Sequence, residues 1–458
     1  MTFVADLHLH SKYSRAVSPQ MILPEMARWA KIKGLDIISA SDFTHPLWFR
    51  ELKNQLEETS EGLYKLKSTD HRLRTTAVDS SRKAESQKEL LFLLSTELAS
   101  IYKQGDKLRR IHNLIFAPSL ETVEKISKEF QRRAFNLMAD GRPIFGLSSE
   151  NLVEVLLSID EDILLIPCHV WTPHFGVYGS KSGFDSLTEA FGKYEKFVYG
   201  IETGISSDPE MNWRIRELSS RSILSFSDAH SLPNMGREST AFDLTEPTYE
   251  NIRTAIMRKK GNKNRISYSI EFYPEEGKYH YSGHRNCGIS YSPEQIKKAG
   301  SICPTCKREF TEGVAIRIEQ LAGDKTAENY QEKVSDSGVK WYTDTSRNHP
   351  PYVKLVRLEQ IIAAGLNMTS NSAKVKSLAL GMCEEFGSEI DALLKTSLAD
   401  IEKTAGERVA QALDRVRRGE IEVEAGYDGE YGTVKIKLEE KADMETKEEK
   451  KTQMGLQF

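Results

Sequence analysis

Short apolar runs recur along the first half of the chain, and longer segments with helical spacing separate them. Strand-length runs occur at Leu35–Ala40, Leu90–Leu94, Ile163–Cys168, Phe197–Ile201 and Ile223–Phe226. Apolar periodicity and helix start and stop residues predict helices at Pro24–Lys33, Leu47–Gly62, Leu120–Ala139, Glu210–Ser219 and Thr248–Lys259. Strands that alternate with helices in this way predict an α/β domain built on parallel strands.

The first apolar segment, Thr2–Ala5, leads directly into two histidines, His8 and His10, which flank Leu9. Residues two apart in a strand point to the same face, so the two imidazoles are expected to project together. Neutral histidine is the commonest nitrogen ligand of protein-bound metals, and this pair is half of a metal site. The spacing alone leaves a second interpretation open, in which two histidines merely alternate on a polar strand face.

Almost every other strand candidate in this region ends in, or carries, a histidine or a carboxylate. These residues are Asp42, Glu97, His112, His169, Glu202, Asp228 and His230. Repeated strand ends that deliver side chains to one face are how a (β/α) barrel builds an active site. The set is mixed and larger than one zinc ion needs, which predicts two or three divalent ions (Zn, Mn or Mg) that share bridging groups.

Three short motifs resemble the metal-binding motifs of the PHP (polymerase and histidinol phosphatase) superfamily. They are His8–Ser11, the single His169 and Ser227–His230. The resemblance implies a distorted (β/α)7 barrel with up to three metal ions. Two positions differ from the family pattern. Many members have an acid shortly after the first histidine pair, where this chain has Ser14-Arg15, and many have histidine directly after the acid that corresponds to Asp42.

Length and composition suit a barrel domain followed by smaller units. The chain has 458 residues, of which 39% are hydrophobic, and a formal net charge of −4, so the overall charge neither requires nor excludes nucleic acid. No apolar run approaches the ~20 residues of a membrane span, and the N-terminus has no signal-peptide pattern. Five cysteines fit a reducing compartment. We therefore expect a cytoplasmic, nucleoid-associated protein without a membrane partner.

A second metal site is predicted from cysteine spacing. His284 and Cys287 are separated by two residues, as are Cys303 and Cys306. Two such pairs are typical of a structural zinc site, which is closed to water and serves folding rather than chemistry. His280 is the alternative fourth ligand if His284 does not bind.

Residues 171–184, directly after His169, form a loop rich in glycine and aromatic residues. Loops after barrel strands hold substrate contacts, so Trp171 is predicted to stack on a base and His174 and Lys181 to bind substrate. Ordinary packing of the loop aromatics is the alternative. Arg15 and Arg216 complete the predicted substrate-binding set.

The C-terminal part reads as a small helical domain with a tail. The segment 399–410 resembles the second half of a helix-hairpin-helix, a DNA-binding motif. Beyond it, residues 439–451 are almost all charged, which predicts a disordered tether. The chain ends in Gln453, Leu456 and Phe458 with the spacing Gln-x-x-Leu-x-Phe, which looks like a peptide that docks on the bacterial sliding clamp.

The order of barrel, zinc module, helical domain and tail resembles the endonuclease Q family. The resemblance covers nearly all of residues 1–437, and its most specific stretches are Asp6–Ser14, Ser41–Pro46, Glu202–Pro209, Tyr279–Cys287 and Gly426–Gly432. It implies a catalytic PHP barrel over residues 1–265, a zinc-binding module over 266–345, a helical DNA-binding domain over 346–438 and a disordered tail over 439–458.

The activity that the resemblance implies is metal-dependent cleavage of DNA on the 5′ side of deaminated bases (uracil, hypoxanthine or xanthine) or abasic sites. We expect the lesion to be flipped out of the duplex, because badly paired bases are easier to extrude. The expected catalytic residues are His8, His10, Glu97 and Asp228. Two alternatives remain: a PHP phosphomonoesterase acting on a small phosphate ester, and a non-catalytic, clamp-tethered DNA-binding adaptor.

Overall fold

The computed structural model describes residues 1–67, 88–323 and 330–438. Its strands are β1 (Thr2–Asp6), β2 (Ile37–Ser39), β3 (Leu56–Ser60), β4 (Leu63–Leu66), β5 (Leu91–Leu93), β6 (Ser95–Gln104), β7 (Lys107–Phe116), β8 (Ile144–Phe145), β9 (Leu164–Pro167), β10 (Gly200–Glu202), β11 (Ser222–Leu224), β12 (Ser239–Asp243), β13 (Arg265–Glu271), β14 (Ser282–His284), β15 (Ile289–Tyr291), β16 (Tyr330–Val334), β17 (Lys340–Asp344), β18 (Tyr352–Lys354), β19 (Glu422–Glu424) and β20 (Thr433–Lys435).

The helices are α1 (Leu23–Lys33), α2 (Pro46–Gln55), α3 (Leu120–Arg132), α4 (Ser149–Ile159), α5 (Leu187–Phe191), α6 (Pro209–Trp213), α7 (Tyr249–Ile256), α8 (Pro293–Ala299), α9 (Val314–Ala322), α10 (Leu358–Leu366), α11 (Ala373–Phe386), α12 (Glu389–Leu394), α13 (Leu398–Ala405) and α14 (Glu407–Arg418). Short 3₁₀ segments lie at Gly192–Phe197, Arg216–Leu218, Leu232–Asn234, Pro274–Glu276 and Arg285–Cys287. Within the described ranges, none of the helices is long and apolar enough to cross a lipid bilayer.

The strands form one large sheet, one four-stranded sheet and three smaller pairs. The large sheet has the order β16-β17-β18-β13-β12-β1-β2-β5-β4-β3, and the four-stranded sheet has the order β8-β6-β7-β9. The pairs are β10-β11, β14-β15 and β19-β20. The mixed α/β class predicted from the sequence is confirmed. Closure of the strands into a seven-stranded barrel stays a prediction.

Parallel pairing brings the ends of the early strands together. β1 pairs with β2 through Asp6 and Ile38, and β2 pairs with β5 through Ser39 and Leu93, both in parallel. Beyond β1, Leu9 forms a parallel bridge with Ala229, which joins the end of β1 to the segment after β11. The carboxyl ends of parallel strands meet at one edge, so the residues after these strands share a common region.

Helix α1 illustrates how the outer layer is fixed. It buries Leu23, Met26 and Ala30, which follow helical spacing on one face. Gly34 ends the helix in the left-handed conformation (φ 87°), and its N–H donates to the carbonyl of Ala30 at 2.9 Å. Glycine reaches this conformation without the steric cost that a Cβ brings, so the stop at Gly34 predicted from the sequence has a direct cause.

Three predicted helices differ from the structure. The segment predicted at Leu47–Gly62 is helical only to Gln55 and then forms the hairpin β3-β4, whose turn contains Gly62 (φ 72°). The helix predicted to reach Ala139 ends at Arg132, just before Ala134 adopts a positive φ of 60°. The segment predicted at Glu210–Ser219 is a short helix followed by a 3₁₀ turn.

The C-terminal part contributes to the large sheet as well as to a helical layer. Residues 330–344 form the hairpin β16-β17, and the short strand β18 follows it. β18 pairs in parallel with β13, so residues far apart in the chain extend the sheet that carries β1.

The four-part division of the chain stays a prediction. The predicted clamp-binding residues Gln453, Leu456 and Phe458 lie outside the described residues.

A buried ion pair joins the N-terminal part to the C-terminal helices. Lys33 at the end of α1 donates to Glu389 in α12, and their side chains are only 4% and 9% exposed. The other carboxylate oxygen of Glu389 accepts from the N–H of Leu358 at 3.2 Å. Removing one member of such a pair leaves an uncompensated buried charge.

Lys33→Met is therefore expected to lower the free energy of unfolding by about 3–5 kcal/mol. The double variant Lys33→Met/Glu389→Leu should recover much of this loss, because no buried charge is left alone. Melting temperatures measured by calorimetry test both expectations. Lys31→Met on the exposed side of the same helix is the matched control. If Lys33→Met melted at the same temperature as this control, the ion pair between Lys33 and Glu389 would not stabilise the fold.

Candidate metal centre and active site

His8 and His10 lie just beyond β1, fully buried, with their rings 5.2 Å apart. A carboxylate contacts one nitrogen of each ring. His8 Nδ1 is 2.8 Å from Glu202 Oε1, and His10 Nδ1 is 3.1 Å from Asp42 Oδ1. These contacts orient the rings so that both Nε2 atoms face a common interior space. Carboxylates that bond to the other ring nitrogen of a metal-bound histidine orient the ring in the same way.

Glu97 and Asp228 face the two Nε2 atoms. His10 Nε2 lies 2.9 Å from Asp228 Oδ1 and 3.4 Å from Glu97 Oε2. The ligand atoms of His8, His10, Glu97 and Asp228 all lie within 4.8 Å of one another. Among the described residues, His8 Nε2 has no hydrogen-bond partner although it is buried. A buried nitrogen without a partner is unusual, and a metal ion supplies what it lacks, so this group fits a divalent cation.

A second ligand group shares Glu97 with the first. Glu97 Oε1 lies 2.5 Å from His112 Nδ1 and 3.2 Å from His169 Nε2. Strand pairing sets Glu97 on β6 against Leu114 on β7, two residues from His112, and the N–H of Cys168 donates to the carbonyl of His112 at 3.1 Å. Glu97 and the two histidine groups would together suit two divalent ions.

Asp42 and Glu202 were both predicted as metal ligands, but in the structure they lie behind the histidines. Asp42 Oδ2 accepts from Ser11 N, Ser11 Oγ and Ser14 Oγ at 2.6, 2.7 and 2.8 Å. Glu202 Oε2 accepts from the N–H of His169 at 2.9 Å. In this geometry the two carboxylates hold imidazoles in place. Glu202 also lies with His8 and Cys168 in a group that could hold a metal ion, so the ligand role of the two carboxylates stays a prediction. The hydroxyl of Ser14 thus supports Asp42.

His230 lies at the rim of this centre. Its ring is 4.8 Å from that of His10, and its Nδ1 is 2.9 Å from the backbone oxygen of Asp228. Its side chain is 31% exposed, and its nitrogens belong to neither of the two groups that share Glu97. The structure thus brings His230 close to the centre without including it in a ligand cluster.

Left-handed backbone occurs at three of the residues that form the centre. The φ angles of Asp42, His169 and Asp228 are 37°, 29° and 46°. Such conformations cost on the order of 1–3 kcal/mol each in a residue with a side chain, and they concentrate at functional sites. The surrounding hydrogen bonds hold all three residues in place despite this cost.

The electrostatics of the centre favour added positive charge. Burial lowers the pKa of His10, but Asp228 and Asp42 outweigh burial and raise it to about 9. Burial raises the pKa of Asp228, but His8 and His10 outweigh burial and hold it well below its usual range. Protons and metal ions compete for the same nitrogens, so metal affinity is expected to fall as the pH drops below about 9.

Arg142 is a site residue that the sequence reasoning missed. Its Nη1 donates to Glu97 Oε2 at 3.1 Å. It follows Asp140 and Gly141 in a segment without apolar periodicity, so no pattern marks it. The close approach of this segment to the centre is visible at Gly141, where an added Cβ would lie 2.5 Å from Asp42 Oδ2.

The predicted substrate residues divide into buried and exposed ones. Trp171 is 1% exposed, donates from Nε1 to Asn212 Oδ1 at 2.8 Å and stacks on Tyr178. The structure therefore gives Trp171 a packing role in the loop instead of an open face for a base. His174, Lys181, Arg216 and Arg15 are exposed or partly exposed, and the N–H of Arg15 donates to Asp140.

The second predicted metal site is assembled as one cluster. His284 Nδ1 lies 3.2 Å from both Cys287 Sγ and Cys306 Sγ, and Cys303 completes a group whose ligand atoms are within 4.8 Å of one another. Three thiols and one imidazole suit a tetrahedral zinc ion. His280 is buried outside this group, so His284 is the histidine that the structure brings to the cysteines.

Gly141→Ala is expected to weaken metal binding at the centre by about 10- to 100-fold, because the new methyl group displaces Asp42 and with it His10. Titration with Mn²⁺ measures the change. Gly146→Ala is the matched control, since an added Cβ there meets nothing within 4 Å. Equal Mn²⁺ affinity in the two variants would contradict the role given to this contact.

Cys306→Ser is expected to remove one zinc ion per chain and to lower the melting temperature, because a structural zinc site contributes folding free energy. Elemental analysis and calorimetry measure the two effects. Cys383→Ala, which changes a buried thiol in α11 outside the cluster, should keep its zinc. Full zinc content in Cys306→Ser would show that Cys306 is not a ligand.

Comparison with known proteins places these features in a family. Residues 357–420 match the family model of the MJ0043 C-terminal domain. The chain is 26% identical over 446 residues to the Bacillus subtilis protein YqxK, covering 94% of this chain and 98% of YqxK. It is 30% identical over 274 residues to MJ0043 of Methanocaldococcus jannaschii, covering 58% of this chain and 31% of MJ0043.

Two solved structures match along almost the whole chain. One is the lesion-specific endonuclease PfuEndoQ of Pyrococcus furiosus, with a TM-score of 0.77, 29% identity and coverage of 98% of this chain and 99% of that one. The other is endonuclease Q in complex with a 27-mer duplex that has an abasic lesion at the active site, with a TM-score of 0.78, 30% identity and coverage of 97% and 100%. By fold, length and sequence, the chain belongs to the endonuclease Q family.

Proposed function

We propose that this protein is a DNA repair endonuclease that cuts the phosphodiester backbone on the 5′ side of a damaged nucleotide by metal-assisted hydrolysis. The observation that carries the proposal is the position of Glu97 between two histidine groups. Two-metal sites of this kind are widespread among enzymes that hydrolyse phosphate esters. Membership of the endonuclease Q family and the abasic-site complex of one family member support DNA as the substrate.

The metal-holding residues in this proposal are His8, His10, Glu97 and Asp228 on one side and His112 and His169 with Glu97 on the other. Divalent ions bound there would supply Lewis-acid chemistry, which activates water for attack and stabilises charge on the phosphate. The protein's own contribution is orientation. Asp42 and Glu202 fix the rings of His10 and His8, so both Nε2 atoms stay directed at Glu97 and Asp228.

Positive side chains beside the centre are proposed to bind the DNA backbone. Burial lowers the pKa of His174, and the charges of Arg110 and Lys181 lower it further, so Arg110 and Lys181 are the positive side chains proposed to bind DNA beside it. Phe175 connects these side chains to the centre, because its ring packs 4.2 Å from that of His112. Arg15 and Arg216 add exposed positive charge. Contacts of this kind position DNA without reading its sequence.

Lesion choice is proposed to come from base flipping. Uracil, hypoxanthine and xanthine pair less well than the bases they replace, and an abasic site has no base to pair, so extrusion of these nucleotides costs less than extrusion of a normal one. Such selection needs no contacts to neighbouring base pairs, which suits an enzyme that must act in any sequence.

The C-terminal residues Gln453, Leu456 and Phe458 are proposed to dock on a sliding clamp, with Leu456 and Phe458 entering an apolar pocket. A charged tether before them would let the catalytic part search nearby DNA, because tethering raises the local concentration of the enzyme. In this proposal the protein acts on chromosomal DNA in the cytoplasm.

A labelled duplex with one deoxyinosine or one abasic site tests the proposed function. We expect a cut just 5′ to the lesion in the presence of Mg²⁺ or Mn²⁺, and no cut in undamaged duplex or in EDTA. Binding without cutting would favour a DNA-binding adaptor. Hydrolysis of small phosphate esters without action on DNA would favour a phosphomonoesterase.

Asp228→Asn is expected to reduce cutting by at least about 100-fold while DNA binding stays intact, because the variant loses a ligand charge. Asparagine tolerates left-handed backbone, so the φ of 46° at this position should survive the change. Asp336→Asn, in the exposed turn between β16 and β17 at the edge of the large sheet, is the control. Full activity of Asp228→Asn would exclude this residue as an essential ligand.

A further inference from the structure

Arg142 is anchored at the metal centre by the segment that carries it. The N–H of Gly141 donates to the carbonyl of Tyr13 at 3.0 Å. Asp140 Oδ1 accepts from the N–H of Arg15 at 3.2 Å and from the N–H of Arg142 at 3.1 Å. These bonds fasten the segment 140–142 onto the chain that follows His10. The position of Arg142 is thus tied to the same loop that holds a candidate ligand.

The guanidinium group of Arg142 has free hydrogen-bonding capacity. Its side chain is 22% exposed, and its Nη1 is 3.1 Å from Glu97 Oε2. Within the described ranges, this is the one hydrogen bond that the side chain of Arg142 makes. A guanidinium has five N–H donors in a planar fork, so most of them stay open at the mouth of the centre. A fork of this geometry matches two oxygens of a phosphate.

Neutralising the charge of Glu97 does not by itself explain the position of Arg142. Glu97 already faces His8, His10, His112 and His169, and divalent cations would neutralise it fully. Two divalent ions and Arg142 would together bring five positive charges against the four carboxylates Asp42, Glu97, Glu202 and Asp228. A half-buried arginine beside cations is unfavourable unless an anion enters the same space. The site therefore calls for an anionic group within reach of Arg142.

We propose that Arg142 is a substrate-binding residue that holds a nonbridging oxygen of the scissile phosphate. This inference rests on the proposed function, since it assigns the anion to the phosphodiester that is cut. The same guanidinium lies against Glu97, so the phosphate is held between Arg142 and the ligand groups on either side of Glu97. Charge-assisted contacts to phosphate are stronger than neutral hydrogen bonds, and arginine makes them with defined geometry.

The test compares Arg142→Ala and Arg142→Lys with wild type. The control is Arg265→Ala. Arg265 pairs with Asp243 at 3.2 Å, and Asp243 accepts from Thr2 Oγ1 at the start of β1. Arg265 thus lies at the end of β1 opposite to His8 and His10. Elemental analysis of each protein after loading with Mn²⁺ reports whether the metal sites are intact.

Binding is measured on an abasic-site duplex in Ca²⁺, with a gel to check that the duplex stays uncut. If Arg142 contacts a phosphate, Arg142→Ala weakens DNA binding by about 10- to 100-fold. The plot of log affinity against log salt concentration should also become less steep, by the amount expected for the loss of one phosphate contact. Arg142→Lys keeps the salt slope because it keeps the charge. Metal content equal to wild type in both variants is expected.

Sulfur substitution at the scissile phosphate gives a second readout. Replacing the oxygen that Arg142 contacts should slow wild-type cutting in one phosphorothioate diastereomer, and this penalty should shrink in Arg142→Ala. Loss of Mn²⁺ from Arg142→Ala with an unchanged salt slope would overturn the inference and leave Arg142 as a support of Glu97. An unchanged slope with intact metal content would overturn it as well. Failure of the proposed function is distinct, because wild type would then cut no lesion duplex.

Discussion

The buried carboxylate of Glu97 is the constraint on which the rest of the centre depends. It is 1% exposed, and four imidazoles and one guanidinium face its two oxygens. A buried charge is tolerated only with partners that replace its lost hydration, so each of these groups is needed where it lies. The partners come from the segment after β1, from β7, from the segment after β9 and from the segment before β8. Shared interaction with one carboxylate therefore links distant parts of the chain.

The scaffold makes this convergence possible at a measurable cost. The parallel strands β1, β2 and β5 end at one edge, and the bridge from Leu9 to Ala229 brings Asp228 to the same place. Left-handed backbone at Asp42, His169 and Asp228 stores strain that the surrounding hydrogen bonds must hold. Strands from the C-terminal part extend the same sheet, and the Lys33 to Glu389 pair ties the helical layer to α1. The sheet that carries β1 thus includes strands from both parts of the chain.

Most residues of the centre could be predicted from the sequence, but the contacts among them could not. His8, His10, Glu97 and Asp228 could be predicted because strand-length apolar runs ending in metal-binding residue types leave a clear pattern. The same pattern could not show that Asp42 and Glu202 contact the Nδ1 atoms of His10 and His8, and their role as metal ligands stays a prediction. Arg142 had no periodic signal, and the burial of Trp171 depends on Asn212 and Tyr178, which only the folded chain brings together. The hairpins β3-β4 and β16-β17 likewise contain turn residues with positive φ, Gly62 and Gly338, and the sequence pattern did not predict these hairpins.

The central claim is that the side chains around Glu97 would hold two divalent ions, and anomalous diffraction from crystals grown with Mn²⁺ tests it most directly. The account predicts two strong peaks about 3.5–4 Å apart, one on each side of the Glu97 carboxylate. One peak would be surrounded by His8, His10 and Asp228, and the other by His112 and His169. A single peak, or peaks that Glu97 does not contact, would contradict the account.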